Sequence, residues 1–191
     1  MPMIKRIVAD RCWAALIDVQ EFFLSGVSDS RSRVETNTAN FARLLGYFRI
    51  PTIVTLERPL HDKGPLPKQI KNELDGRAKF FEKDFFDLTR EKTIRDYIRR
   101  LKKQQVIVAG CETDVCVLQS CLGLLDLGYE VYVIEDLLFS GSPNVEAALA
   151  RIKSAGAVFL TYKTLYYELL EAVGGDESFG PFPDDLPDTA V

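Results

Sequence analysis

Short, continuous apolar runs alternate along this chain with longer segments whose apolar residues recur at helical spacing. "WAALIDVQ" (13–20), "IPTIVTLE" (50–57), "QVIVAG" (105–110), "YEVYVIED" (129–136) and "AVFLT" (157–161) are short and mostly rich in β-branched or aromatic residues, and they read as buried strands. "AKFFEK" (78–83) is a sixth candidate. Helices are expected over 34–48, 89–103, 114–128, 144–156 and 165–173. The second has Thr89 as its N-cap and basic residues in its last turns, and the third is stopped by Gly128. "RPLHDKGPLP" (58–67) reads as a Gly/Pro loop. Strands that are apolar on both faces must be covered on both faces, and strand–helix alternation achieves this with a parallel sheet. The expected fold is therefore a three-layer α/β/α sandwich around six parallel strands.

No internal repeat is visible, and no linker precedes residue 174. The 191 residues divide into one domain (1–173) and an acidic, Gly/Pro-rich tail (174–191). Such a tail is ordered only if packing on its own domain or on a neighbouring subunit holds it. Phe179 and Phe182 are its apolar anchors, and a homo-oligomer is expected on that ground. A net charge of -4 argues against a nucleic-acid partner. The chain has no apolar run near the ~18 residues of a membrane span. Its N-terminal apolar stretch is too short for a signal peptide. Four cysteines without framework spacing fit a reducing, cytoplasmic compartment.

Common α/β chemistries are missing. No G-x-G-x-x-G follows the first strand, and neither a phosphate-binding P-loop nor a G-x-S-x-G elbow occurs. His61 is the only histidine, which rules out a multi-histidine metal site. Three cysteines, Cys111, Cys116 and Cys121, fall five residues apart. Five helical positions rotate by about 140° net, so their sulfurs share no face and do not converge on a metal. Cys121 lies in an apolar helix and reads as core. Cys116 falls in the first turn of a helix after a strand, where free N–H groups and the positive dipole end favour a thiolate. Position alone leaves Cys116 open between a structural and a functional role.

Two further residues bear on that choice. Asp18 is a carboxylate at the end of a buried strand, a costly place unless it is paired or used. Lys83 ends the third strand. In a doubly wound, Rossmann-like sheet of order 3-2-1-4-5-6, strands one and four are neighbours, and ligands bind outside their carboxyl ends. Asp18, Lys83 and the turn leading to Cys116 would meet there. The Asp could accept the thiol proton and the Lys could stabilise anions.

These residues also carry a resemblance. "LIDVQEFF", "FFEKDFFDLT" and "VIVAGCETDVCV" resemble the three motifs of the isochorismatase-like cysteine hydrolases, over about residues 12 to 172. The resemblance implies a six-stranded parallel sheet, a catalytic triad of Asp18, Lys83 and Cys116, and a cis Cys111–Glu112 peptide. It further implies an oxyanion hole from the backbone N–H groups of Glu112 and Cys116, with Cys111 serving backbone geometry only. It implies assembly as dimers or larger. The family's nicotinamidases carry an Asp and several His as a metal site after strand two. "TLERPLHDKGPLP" has one histidine, so no metal and no cofactor are expected.

The expected activity is hydrolysis of a small amide, carbamoyl or ureido C–N bond through a cysteine thioester. Phe23, Glu57, His61 and Phe85 are candidates for lining the substrate pocket. The alternatives are a vinyl ether hydrolase of the isochorismatase type with Asp18 as acid, and a catalytically vestigial interaction module.

Overall fold

A computed structural model describes residues 6–27, 30–172, 179–180 and 183–189. Six strands form one sheet: β1 (Cys12–Ile17), β2 (Thr52–Glu57), β3 (Ala78–Lys83), β4 (Gln105–Gly110), β5 (Glu130–Leu138) and β6 (Val158–Leu160). All pairings are parallel and the order is β3-β2-β1-β4-β5-β6. The doubly wound topology anticipated from the sequence is therefore present. Its switch point lies between β1 and β4.

The helices are α1 (Glu21–Ser25), α2 (Arg31–Tyr47), α3 (Leu60–Lys63), α4 (Lys68–Leu74), α5 (Lys92–Arg100), α6 (Leu118–Asp126), α7 (Glu146–Ser154) and α8 (Tyr162–Leu170). Strand alternation sorts them into two layers. Cys12, Ala14 and Leu16 of β1 join a core with side chains of α2, α4 and α8. Trp13, Ala15 and Ile17 join the opposite core with α5, α6 and α7. No described helix is long and apolar enough to cross a membrane.

Three local expectations need correcting. Thr89 is not a helix N-cap. Its N–H and hydroxyl both go to Asp87 Oδ1, at 2.8 and 2.7 Å, in a 3-10 turn over Leu88–Arg90. The Asp87 carboxylate captures the first donors, and α5 starts only at Lys92. The 58–67 loop contains α3 and leads into α4, which start directly after Pro59 and Pro67. Such short helices leave little periodic signal. The helix expected over 114–128 begins instead as a π-turn, Thr113–Val117, before α6.

The described part of the tail packs on its own chain. The Phe179 ring lies 5.2 Å from that of Phe48. Tyr47 donates to the Gly180 carbonyl at 3.1 Å, and Tyr162 to the Pro187 carbonyl at 2.9 Å. Arg43 pairs with Asp185 at 2.7 Å, and Leu186 is buried. Phe182 lies outside the described residues.

Candidate active site

The carboxyl ends of β1 and β4 lie side by side, with Ile17 in register with Gly110. The chains approach so closely that a Cβ at Gly110 would sit 2.1 Å from the Ile17 carbonyl oxygen. Gly110 also has φ +119, so the turn out of β4 admits glycine only. The following Cys111–Glu112 peptide is cis. Cys111 itself is buried, and its Sγ donates to the Asp18 carbonyl at 2.9 Å. That thiol faces backbone.

Asp18 follows β1 with φ 50, a left-handed conformation that is uncommon for a non-glycine residue. The backbone there is fixed from two sides. The Asp18 N–H donates to the Thr55 carbonyl at 3.1 Å, and the Asp18 carbonyl accepts the Gln20 N–H at 2.7 Å. The side chain is fully buried, with Oδ1 accepting from the Thr55 hydroxyl at 2.8 Å. Lys83 closes β3 in register with Glu57 at the end of β2. Its stem is buried, and its ammonium reaches Asp18 Oδ2 at 2.7 Å and Cys116 Sγ at 3.4 Å. Oδ2 has the Lys83 ammonium as its close partner, a buried ion pair.

Cys116 lies in the π-turn, buried, and its Sγ donates to Glu57 Oε2 at 3.3 Å. Glu57 is thus the one pocket-lining candidate with a described contact to the sulfur. His61 is largely exposed on α3 and faces Asp62 at 3.3 Å. Phe23 is buried in the core beneath the Lys63 ammonium, and Phe85 is exposed under the Arg90 guanidinium. Sequence reasoning missed Gln20, Thr55 and Lys63. The oxygen of Gln20's side-chain amide accepts the Glu57 N–H at 2.7 Å, while its nitrogen donates to the Glu57 carbonyl at 3.2 Å and the Gly64 carbonyl at 2.9 Å. Lys63 pairs with Glu57 Oε1 at 3.2 Å. Gln20 and Thr55 stood in the quoted motifs, but a polar residue near a strand end does not by itself say which backbone it will tie.

The electrostatics overturn one expectation. Cys116 follows a strand at the start of a helical segment, yet its thiol is pushed well above its ordinary value. Burial is the main cause, followed by the Asp18 carboxylate, with Glu57 adding to it; the Lys83 ammonium opposes them. The dipole argument fails because the sulfur is desolvated and flanked by two carboxylates. Burial and the two carboxylates favour the protonated sulfur, in keeping with its hydrogen bond to Glu57 Oε2. Burial also raises the Asp18 carboxyl above its ordinary range, against the pull of Lys83 and Thr55. For Lys83, burial favours the neutral amine, but the charge of Asp18, its hydrogen bond to that carboxylate and the charge of Glu57 outweigh it and hold the ammonium. Asp18, Glu57 and Cys116 bring ligand atoms within 4.8 Å of one another, the spacing of a metal cluster. The Lys83 ammonium already lies 2.7, 3.8 and 3.4 Å from these three groups, and a metal cation there would be repelled by it.

Comparisons with known proteins agree with this layout. A family model of the isochorismatase domain matches residues 13–164. A Phytophthora sojae protein named secreted isochorismatase effector Isc1 is 31% identical over 163 residues, covering 84% of this chain and 77% of that one. Among solved structures, YcaC from Pseudomonas aeruginosa, described with hexane-2,5-diol and covalent acrylamide, superposes with a TM-score of 0.85. It is 28% identical, and the match covers 93% of this chain and 90% of the other. The Escherichia coli YcaC gene product, described as an octameric hydrolase of unknown specificity, gives a TM-score of 0.83 at 22% identity, over 94% and 89% of the two chains.

Proposed function

This chain belongs to the isochorismatase family, and from that premise we propose that it hydrolyses a small amide, carbamoyl or ureido C–N bond through a thioester on Cys116. One observation carries the reading: the Lys83 ammonium touches both Asp18 and the Cys116 sulfur, and all three side chains are buried at the switch point. A base, a nucleophile and a cation in mutual reach form the arrangement that activates a weak nucleophile. The YcaC relative is described with covalent acrylamide, itself a small amide, which is in keeping with the reading.

In the first step Asp18 takes the thiol proton as sulfur attacks the carbonyl carbon. Because the resting thiol is protonated, attack and proton transfer go together. The raised Asp18 carboxyl suits a base of this kind, since proton transfer is most effective when donor and acceptor are matched. The new C–S bond places negative charge on the carbonyl oxygen. The backbone N–H groups of Glu112 and Cys116 are assigned to that charge, each such donor being worth about 2.7–4 kcal/mol of barrier. The Glu112 N–H has no backbone acceptor among the described residues. The C–N bond then breaks as Asp18 returns its proton to the leaving amine. Water, deprotonated by the same carboxylate, attacks the thioester; the C–S bond breaks and the thiol recovers its proton. Lys83 holds Asp18 in place and balances whichever neighbour is anionic.

The partner assigned is a small molecule; the net charge of -4 argues against nucleic acid. No metal is assigned to Asp18, Glu57 and Cys116, because the Lys83 ammonium lies among them. The unit of function is a homo-oligomer, a reading supported by exposed Phe22, Phe85, Phe86 and Tyr167 and by the octameric YcaC relative. Four buried cysteines without disulfides support a reducing compartment.

The test is ammonia release from a panel of small amides, carbamoyl and ureido compounds. Turnover by the native protein and none by Cys116→Ala is expected. Equal turnover by both passes the chemistry to Asp18 alone, as in vinyl ether hydrolysis, and no turnover by either favours a vestigial site.

A further inference from the structure

Glu57 is held more firmly than a lining residue needs to be. Its backbone N–H and carbonyl are both tied to the fully buried Gln20 amide, which also ties Gly64. Its carboxylate points inward, with Oε2 accepting from the Cys116 thiol at 3.3 Å and lying 3.8 Å from Lys83 Nζ. Oε1 is balanced by Lys63, whose ammonium also lies 4.1 Å from the Phe22 ring centre and 4.9 Å from that of Phe23. The sulfur therefore has carboxylates on two sides, Asp18 and Glu57. One of them is needed as a base. The other loses its only donor from sulfur at the moment the thiol gives up its proton.

We propose that Glu57 is a specificity-determining residue, selecting neutral carbonyl substrates that carry an N–H donor beside the carbonyl and turning away those with a carboxylate there. The inference rests on Cys116 being the nucleophile. When the thiol proton turns from Glu57 to Asp18, Glu57 Oε2 faces an electron-rich sulfur and, among the described residues, keeps only the Lys83 ammonium 3.8 Å away. A substrate N–H at that position replaces the lost S–H donor, and the acceptor is satisfied through the attack. A primary amide or ureido nitrogen supplies such a donor. A carboxylate in its place would set like charges within a few ångströms in a desolvated site, an arrangement the two lysines offset only partly.

Alkylation of Cys116 by iodoacetamide and by iodoacetate reads this selection directly, because the reagents differ by amide against carboxylate. Rates at Cys116 are followed by peptide mass mapping and expressed relative to free cysteine. The native protein is expected to favour iodoacetamide by at least about tenfold, equivalent to roughly 1.4 kcal/mol. Glu57→Gln is expected to remove most of that preference. Lys63→Met, which strips the counter-ion and leaves Glu57 in place, is expected to widen it. A purely structural role for Glu57 would change both rates together and leave the ratio alone. An unchanged ratio in the folded Glu57→Gln protein, or in Lys63→Met should Glu57→Gln not fold, overturns the assignment of Glu57 alone. A Cys116 inert to both reagents in the native protein overturns the nucleophile reading and this inference with it.

Discussion

Strands β1 and β4 carry a buried polar cluster at each end, and the two clusters are built on opposite principles. At the amino end the fully buried Gln105 is saturated. Its side-chain oxygen accepts the Val8 N–H at 2.8 Å, and its nitrogen donates to the Arg6 carbonyl at 2.8 Å and to Glu130 Oε2 at 2.9 Å. Cys12 donates its thiol there at 3.4 Å. At the carboxyl end Asp18, Lys83, Glu57 and Cys116 put two carboxylates and an ammonium around a thiol. Both thiols are buried and both are raised by that burial, Cys12 to about 12. Burial and acidity do not distinguish them. What differs is the company: a neutral amide ties down neighbouring backbone at one end, while two carboxylates and an ammonium surround the thiol at the other.

Exchanging one residue at each end tests that contrast. Asp18→Asn should lower turnover by at least about 10²-fold, the lower range for a positioned base, with kcat falling more than KM. Gln105→Leu should leave turnover unchanged. It strands the Val8 N–H and the Arg6 carbonyl and should cost roughly 1–3 kcal/mol, read as a lower denaturant midpoint. If Gln105→Leu loses activity at full stability, the two clusters are not separable in this way.

The tail offers a third contrast, between packing on its own chain and packing between subunits. Truncation after Ala172 removes the Phe179–Phe48 ring contact, the Arg43–Asp185 pair, the Tyr162–Pro187 hydrogen bond and the buried Leu186. The melting temperature should fall by several degrees while light scattering still reports an oligomer. A monomer from the full chain would remove the oligomer from the account.

Alkaline pH gives the smallest and most graded effect. Burial raises the Cys12 and Cys121 thiols from 9.0 to about 12, and Cys111 and Cys116 rise as well. Folded thiols keep protons that the unfolded chain releases, so this stability is complete below pH 9.0 and is lost as pH rises toward about 12. Cys121→Ala should retain turnover, cost about 1 kcal/mol near neutral pH, and flatten the alkaline loss by about one proton. An unchanged slope would mean that Cys121 titrates in the folded protein.

Much of this was legible in the chain because burial on both faces leaves a strong mark. The β3 candidate "AKFFEK" coincides with Ala78–Lys83, and strand–helix alternation led to the sheet order. The convergence of Asp18 with Lys83 followed from the topology, since strand ends are placed by the sheet. The state of Cys116 did not follow. A helix-start argument sees only local dipoles, whereas the thiol answers to Asp18 and Glu57, far away in sequence. Gln20 was invisible as a clamp for the same reason: its three partners lie on Glu57 and Gly64, beyond any local pattern.

The central claim is that Cys116 carries the acyl group, and mass spectrometry of rapidly quenched turnover mixtures tests it most directly. With any amide or ureido compound that releases ammonia, the account predicts a transient mass increase equal to the acyl fragment, mapped to Cys116 and absent from Cys116→Ala. Steady ammonia release by Cys116→Ala at the native rate, or an adduct mapped to Cys12, Cys111 or Cys121, would contradict it.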